Sequence, residues 1–362
     1  MKRPTILLNP GPVTLTERVR AALTREDVCH REPEFAALTR ELRQGLEGVY
    51  PAARGRFTAV LLSGSGTCAV EAMLASLVPR NGKVLVVANG VYGERMAAMV
   101  RAHGRGLVEA RAEWLAPMDL AAAERALSAD SGITHVAAVQ HETTTGRLND
   151  VAALAALCRR HEKPLLLDGV SSFAGETIDF AAWPLAAVAG TANKCLHAVP
   201  GVCFVLVENG LLAANAPREA PSVYLDLFRY VEPQRGGSSP YTQAVHACFA
   251  LQEALRELAD QGGWHARHER YRALTGRIRS ALAELGVAPL LPAAESSALL
   301  TAYRLPPGHT YPTLHDALKA AGFVIYAGQG NLGDEIFRIA VMGDVRDDDV
   351  DRLLTPFADV LS

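Results

Sequence analysis

TAVLLSGSGTCAVEAMLASL, residues 58–77, joins three textures without a break. Positions 58–62 are apolar without alternation, the pattern of a strand covered on both faces by helices. Ser63-Gly64-Ser65-Gly66-Thr67 is a turn, and 68–77 has helical spacing. The same kind of apolar run recurs at 84–88 (VLVVA), 134–139 (THVAAV), 164–167 (PLLL), 185–189 (LAAVA) and 202–207 (VCFVLV). Helical segments such as 120–127 and 151–161 lie between them. Strands alternating with helices predict an α/β fold with a mostly parallel sheet sandwiched by helices. The runs 186–189 and 201–207 are joined by a non-helical segment and read as antiparallel neighbours.

Beyond Ser239-Pro240 the texture changes to long helices over 242–258 and 265–285. A smaller α+β unit follows, with strands near 298–303, 324–326 and 336–340 and a helix over 313–321. Two domains are therefore expected, 1–255 and 256–362, with segment 1–20 contacting the smaller one. The 362 residues are ample for two cores. The 36 Lys+Arg against 39 Asp+Glu argue against a nucleic-acid surface, and 49% apolar residues argue against disorder. Six scattered cysteines without a CxxC read as reduced thiols, with no metal site. The apolar run near the N-terminus breaks after Leu8, and no stretch approaches ~18 apolar residues. No membrane span and a cytoplasmic location are expected.

Three segments could carry chemistry. Ser65-Gly66-Thr67, at the start of a helix, offers backbone N–H groups, hydroxyls and the positive end of the helix dipole, a setting for phosphate. The same turn also serves as a plain strand–helix connection capped by Thr67. Asp168 ends the run 164–167, where open α/β sheets bind ligands, though an Asp there also caps turns. Lys194 follows the run 185–189 and precedes Pro200-Gly201. An amine at that sheet edge is partly desolvated and becomes a nucleophile, whereas most lysines are solvated. Together, a phosphate cradle, a carboxylate and a lysine in this order meet the needs of pyridoxal 5'-phosphate: its phosphate, its ring nitrogen and its aldehyde.

The sequence resembles the class V aminotransferases of pyridoxal phosphate fold type I over nearly its whole length. The resemblance rests on NPGP (9–12), CHREPEF (29–35), LLSGSGTCAVEAML (61–74), NGVYGERM (89–96), HETTTGRLN (141–149), DGVSSFAG (168–175), ANKCLHAVPG (192–201), GFVIYAGQG (322–330) and FRI (337–339). Within the family it looks most like the branch acting on 2-aminoethylphosphonate and pyruvate; alanine– and serine–glyoxylate relatives share the layout. The resemblance implies a large domain with a seven-stranded sheet and a homodimer with its active site at the subunit interface.

It implies that Ser65, Gly66 and Thr67 hold the cofactor phosphate, Tyr92 stacks on the ring, and Thr143 contacts the ring-oxygen region. Asp168 would pair with the ring nitrogen, Val170 pack beneath the ring, and Asn193 reach the phosphate. Lys194 would bind the aldehyde, and Ser238 would reach the neighbouring subunit's phosphate. Arg338 would hold the substrate anion, bordered by Gly11; without the resemblance it reads as a structural ion-pair residue. His30 and Arg31 read either as part of the substrate entrance or as an exposed helix start. Residues 340–343 (AVMG) depart from the family wording and are expected to alter a wall near that anion. The partners implied are an amine donor and a 2-oxo acid acceptor. A desulfurase is disfavoured because no cysteine follows Cys248; a non-catalytic or nucleotide-binding α/β protein with a structural Lys194 is a further alternative.

Overall fold

The computed structural model describes residues 5–213 and 220–361. Its centre is a seven-stranded sheet: β1 (Phe57–Gly64), β2 (Lys83–Ala88), β3 (Gly106–Arg111), β4 (Ile133–Val139), β5 (Leu165–Asp168), β6 (Leu185–Thr191) and β7 (Gly201–Glu208). The spatial order is β1-β7-β6-β5-β4-β2-β3. Only β7 runs against the others, antiparallel to both β1 and β6. The antiparallel neighbours read from the sequence are therefore β6 and β7. The strand β3 has no counterpart among the apolar runs: it is the sheet edge, half-buried along most of its length, so it lacks their composition.

The apolar runs have a simple physical cause. Along β1, Ala59 and Leu61 join one core while Val60 and Leu62 join the other. Likewise Val188 faces one side of β6, and Ala187 and Ala189 the other. Successive side chains point to opposite faces, and both faces are covered, so every position is apolar. Space between β6 and β7 is fully used. A Cβ at Gly190 would lie 2.3 Å from Cζ of the buried Phe204. Gly190→Ala is expected to lower unfolding free energy by about 1–3 kcal/mol through overpacking, read by denaturant titration.

A smaller antiparallel sheet carries Leu300–Arg304, Ile336–Ala340 and Tyr326–Ala327 in the order first-second-third, backed by helices Tyr311–Ala320 and Asp347–Leu361. The N-terminal strand Ile6–Leu7 pairs in parallel with Phe323–Val324. The Ala340 N–H donates to the Leu8 carbonyl at 2.7 Å, and Asp344 N–H to the Thr14 carbonyl at 2.8 Å. The N-terminal segment is thereby fastened to this smaller unit before it crosses to the large sheet. The helix Val245–Asp260 runs across position 255 without a break. Among the described residues, no helix is long and apolar enough to cross a membrane.

Candidate active site

Six strands running one way place their carboxyl ends along one sheet edge, where the following loops converge. β1 delivers Ser65-Gly66-Thr67 to the start of helix α1 (Gly66–Leu77), and β2 delivers Tyr92 to the start of helix α2 (Val91–Ala102). β4 leads to Glu142 and Thr143, β5 ends on Asp168, and β6 leads to Asn193 and Lys194.

The Lys194 amine donates to the Pro10 carbonyl at 2.5 Å. Burial pulls its pKa down to about 8, Arg338 and Arg95 adding repulsion while Cys195 and Asp168 oppose. Gly11 makes this approach possible. Its φ is +115°, and a Cβ there would lie 3.0 Å from the Asn193 carbonyl and 3.2 Å from Lys194 Cγ. Asp168 is buried, and burial raises its pKa to about 6, tempered by the Val170 N–H and by Lys194. Val170 N–H donates to its Oδ1 at 2.9 Å; among the described residues nothing donates to its other oxygen.

Beside Asp168 lies a cleft lined by Gly66, Thr67, Tyr92, Arg95 and Val170. The chain there is close-packed: a Cβ at Gly66 would sit 2.4 Å from Val170 Cγ1. Ser65 is the N-cap of α1, yet its hydroxyl makes no capping bond, and Ser65 and Thr67 are both exposed. The first N–H groups of the helix therefore stay available to an anion. Tyr92 also lines a second cleft of about 440 Å³ with Pro10, Gly11, Lys194, Tyr326 and Arg338. Tyr92 thus borders both clefts.

Arg338 closes the far end. It is buried, donating from Nε to the Ala327 carbonyl at 2.8 Å and from Nη1 to the Thr143 carbonyl at 2.9 Å. Its guanidinium lies 5.4 Å from the centre of the Tyr326 ring. Among the described residues no carboxylate pairs with it, so the structural ion-pair reading does not hold. Thr143 is buried with an Oγ1 that has no hydrogen-bond partner.

Glu142 is the site residue that sequence reasoning left without a role. Fully buried, its pKa raised to about 7 by burial, it accepts from Tyr92 N–H at 3.1 Å and from the Thr144 hydroxyl at 2.8 Å. One carboxylate thus ties the start of α2 to the turn bearing Thr143. Gly90 permits it, since a Cβ there would lie 2.3 Å from Glu142 Cδ. The available signal was the ETTTG run itself: an acidic residue directly before three threonines and a turn glycine.

Other expected residues lie apart. Asn193 accepts from the Thr191 hydroxyl at 2.8 Å, beside Gly11 and not among the residues lining the phosphate-side cleft. Ser238 is exposed, donating to the Pro233 carbonyl at 3.2 Å, away from both clefts of its own chain. His30 is half-buried and Arg31 exposed, and neither lines these two clefts. Residues 340–343 do not form the wall expected of them. Ala340 bonds to Leu8, and a Cβ on Gly343 would lie 2.7 Å from the Thr14 carbonyl, so the stretch packs on the N-terminal segment.

The class V aminotransferase family model matches residues 15–351. The chain belongs to the class V aminotransferases. It is 38% identical over 354 residues to the 2-aminoethylphosphonate–pyruvate transaminase of Klebsiella pneumoniae, covering 96% of this chain and 95% of that one. Among solved structures it resembles the alanine–glyoxylate aminotransferase of Nostoc sp. with a TM-score of 0.91 and 25% identity, over 100% of this chain and 96% of that one. It also resembles the aspartate aminotransferase of Thermus thermophilus, with a TM-score of 0.88 and 27% identity over 98% and 99% of the chains.

The enzymes of this family use pyridoxal phosphate, and the residues present fit it. The uncapped start of α1 suits the phosphate, the open oxygen of Asp168 suits the ring N–H, and the unpartnered Thr143 hydroxyl suits the ring oxygen. The Lys194 amine completes the set. Because only a neutral amine attacks an aldehyde, the apoprotein of this class V aminotransferase is expected to take up pyridoxal phosphate faster as pH rises. The midpoint should fall near the lowered Lys194 pKa of about 8 instead of the ordinary 10.5. Stopped-flow absorbance across pH 6–10 measures it; a midpoint above about 10 would contradict the lowered pKa.

Proposed function

We propose that this aminotransferase moves the amino group of 2-aminoethylphosphonate to pyruvate, giving phosphonoacetaldehyde and L-alanine. The observation that carries the reading is Arg338: a buried arginine in no ion pair among the described residues, lining the same cleft as the Lys194 amine. Its planar fork suits a phosphonate and a carboxylate in turn. Among the described residues it is the only arginine lining that cleft, so the cleft suits substrates with one anionic end better than dicarboxylates. The name of the Klebsiella relative supports the same pair of substrates.

Pyridoxal phosphate supplies, when bound, an aldehyde that receives the amino group and a cationic ring that accepts the electron pair of the broken C–H bond. The chain's own residues do the rest. Ser65, Gly66 and Thr67 anchor the phosphate end. Tyr92 offers an aromatic face, Val170 an apolar floor, and Thr143 a hydroxyl. Asp168, ionised at neutral pH, accepts the hydrogen bond that keeps the ring nitrogen protonated. Lys194, with its lowered pKa, would take the proton from the donor's amine-bearing carbon and hold it for delivery to the carbon on the other side of the nitrogen. Arg338 fixes the donor's anion so that this carbon faces Lys194.

In this reading the enzyme is a cytoplasmic homodimer. The exposed Ser238, which lines neither cleft of its own chain, reaches the partner's phosphate site. A second reading is an alanine– or serine–glyoxylate aminotransferase; the name of the Nostoc structure supports the alanine–glyoxylate form. A panel of 2-aminoethylphosphonate, alanine, serine and aspartate, each with pyruvate and with glyoxylate, separates the two. Turnover of aminoethylphosphonate with pyruvate is expected to exceed the other pairs at least about tenfold, a difference of ~1.4 kcal/mol. Brisk serine–glyoxylate turnover beside negligible aminoethylphosphonate turnover would replace the first reading with the second.

A further inference from the structure

The phosphate-side cleft contains one cation that neither the family resemblance nor the mechanism above uses. Arg95 stands one helical turn after Tyr92 on α2, so both side chains leave the same face of the helix. Its guanidinium lies 4.8 Å from the centre of the Tyr92 ring, and its Nη1 donates weakly to the Thr67 hydroxyl at 3.4 Å. It lines the cleft together with Gly66, Thr67, Asp168 and Val170. Among the described residues no carboxylate forms an ion pair with it. The adjacent Glu94 is taken by Arg111 and by the Trp114 indole N–H. An arginine held half-buried in a ligand cleft and stacked on an aromatic ring, in no ion pair and with the Asp168 carboxylate acting on it only across the cleft, is set for an anion.

We propose that Arg95 binds the phosphate of the cofactor, completing a cradle that the sequence motif Ser65-Gly66-Thr67 supplies only in part. This rests on the reading that the phosphate sits at the start of α1. The helix end contributes backbone N–H groups and partial positive charge, and Thr67 a hydroxyl. None of these carries the full charge that a phosphate dianion calls for. Arg95 already touches Thr67, so a small rotation brings its fork onto the same anion. The ring contact with Tyr92 holds the guanidinium at the cleft, limiting the side-chain freedom lost on binding. The same anion chemistry is present in the donor's phosphonate. The position beside Thr67 and away from Arg338 favours the cofactor phosphate.

The test compares pyridoxal 5'-phosphate with pyridoxal, which lacks the phosphate, on the apoprotein. Dissociation constants come from the absorbance change on binding, for wild type, Arg95→Gln and Arg95→Lys. The expected result for Arg95→Gln is a loss of about tenfold to a hundredfold for pyridoxal phosphate with pyridoxal unchanged. Arg95→Lys should recover part of the loss. Equal losses for both ligands would overturn the proposal, because Arg95 would then act through Tyr92 and the ring. An unchanged pyridoxal phosphate constant with a raised KM for aminoethylphosphonate would also overturn it and assign Arg95 to the donor. If wild type binds pyridoxal phosphate and Arg95→Gln binds it equally, only this assignment falls. If wild type binds none, the cofactor reading beneath it falls as well.

Discussion

Replacing Lys194 by alanine is expected to lower transamination by at least about 10⁴-fold, because among the described residues no other amine lines the cleft and both bond formation and proton transfer depend on it. The fold should survive. Among the described residues the side chain has one hydrogen bond, to the Pro10 carbonyl, and its stem rests against Gly11, so the thermal midpoint should shift by only a few degrees. The variant should still bind the cofactor through Ser65, Thr67, Asp168 and Tyr92. Borohydride reduction of the loaded wild-type enzyme should attach the cofactor to the peptide holding residue 194, and reduction of the variant should attach none. A tag at another lysine, or activity retained in the variant, would remove Lys194 from the reaction.

Arg338 gives the second large effect. Arg338→Ala removes the guanidinium facing the cleft, and kcat/KM is expected to fall by about 10²–10³-fold for donor and acceptor alike. Because both substrates place an anion there in turn, the two losses should match within a few-fold. Arg338 also bridges the carbonyls of Ala327 and Thr143, so a purely structural explanation must be tested. Arg338→Lys keeps a positive charge but loses the fork, and should recover part of kcat/KM. Cofactor absorbance should be unchanged in both variants. A loss confined to cofactor binding, with substrate KM unmoved, would contradict the anion role.

These two residues illustrate how unevenly the site could be read. Lys194 and Asp168 each follow an apolar run, and a residue just past a buried parallel strand must lie at the sheet's carboxyl edge. Local pattern therefore placed them. Arg338 sits inside an apolar strand, in FRI, where pattern alone makes it a core anomaly; its empty end became visible only with the packing around it. Glu142 and Arg95 were harder. Each acts through contacts on another segment, Glu142 with Tyr92 and Arg95 with Thr67, and such partners lie 50 and 28 positions away. Residues 340–343 failed in the opposite sense. They neighbour Arg338 in sequence, yet the N-terminal segment pairs against them and takes them out of the cleft.

Composition and periodicity alone determined that this chain builds a parallel sheet with helices on both sides. The reason is local: a strand buried on two faces must be apolar at every position, and Gly-rich turns must follow it. Those same rules placed the cradle, the carboxylate and the amine at strand ends. Only the tertiary structure decided which of them meet. It brought the N-terminal segment over Lys194, left Arg338 in no ion pair among the described residues, and set Arg95 beside Thr67. Burial, the spacing of charges and a missing counter-ion belong to distances between segments remote in the chain, and no periodicity records them.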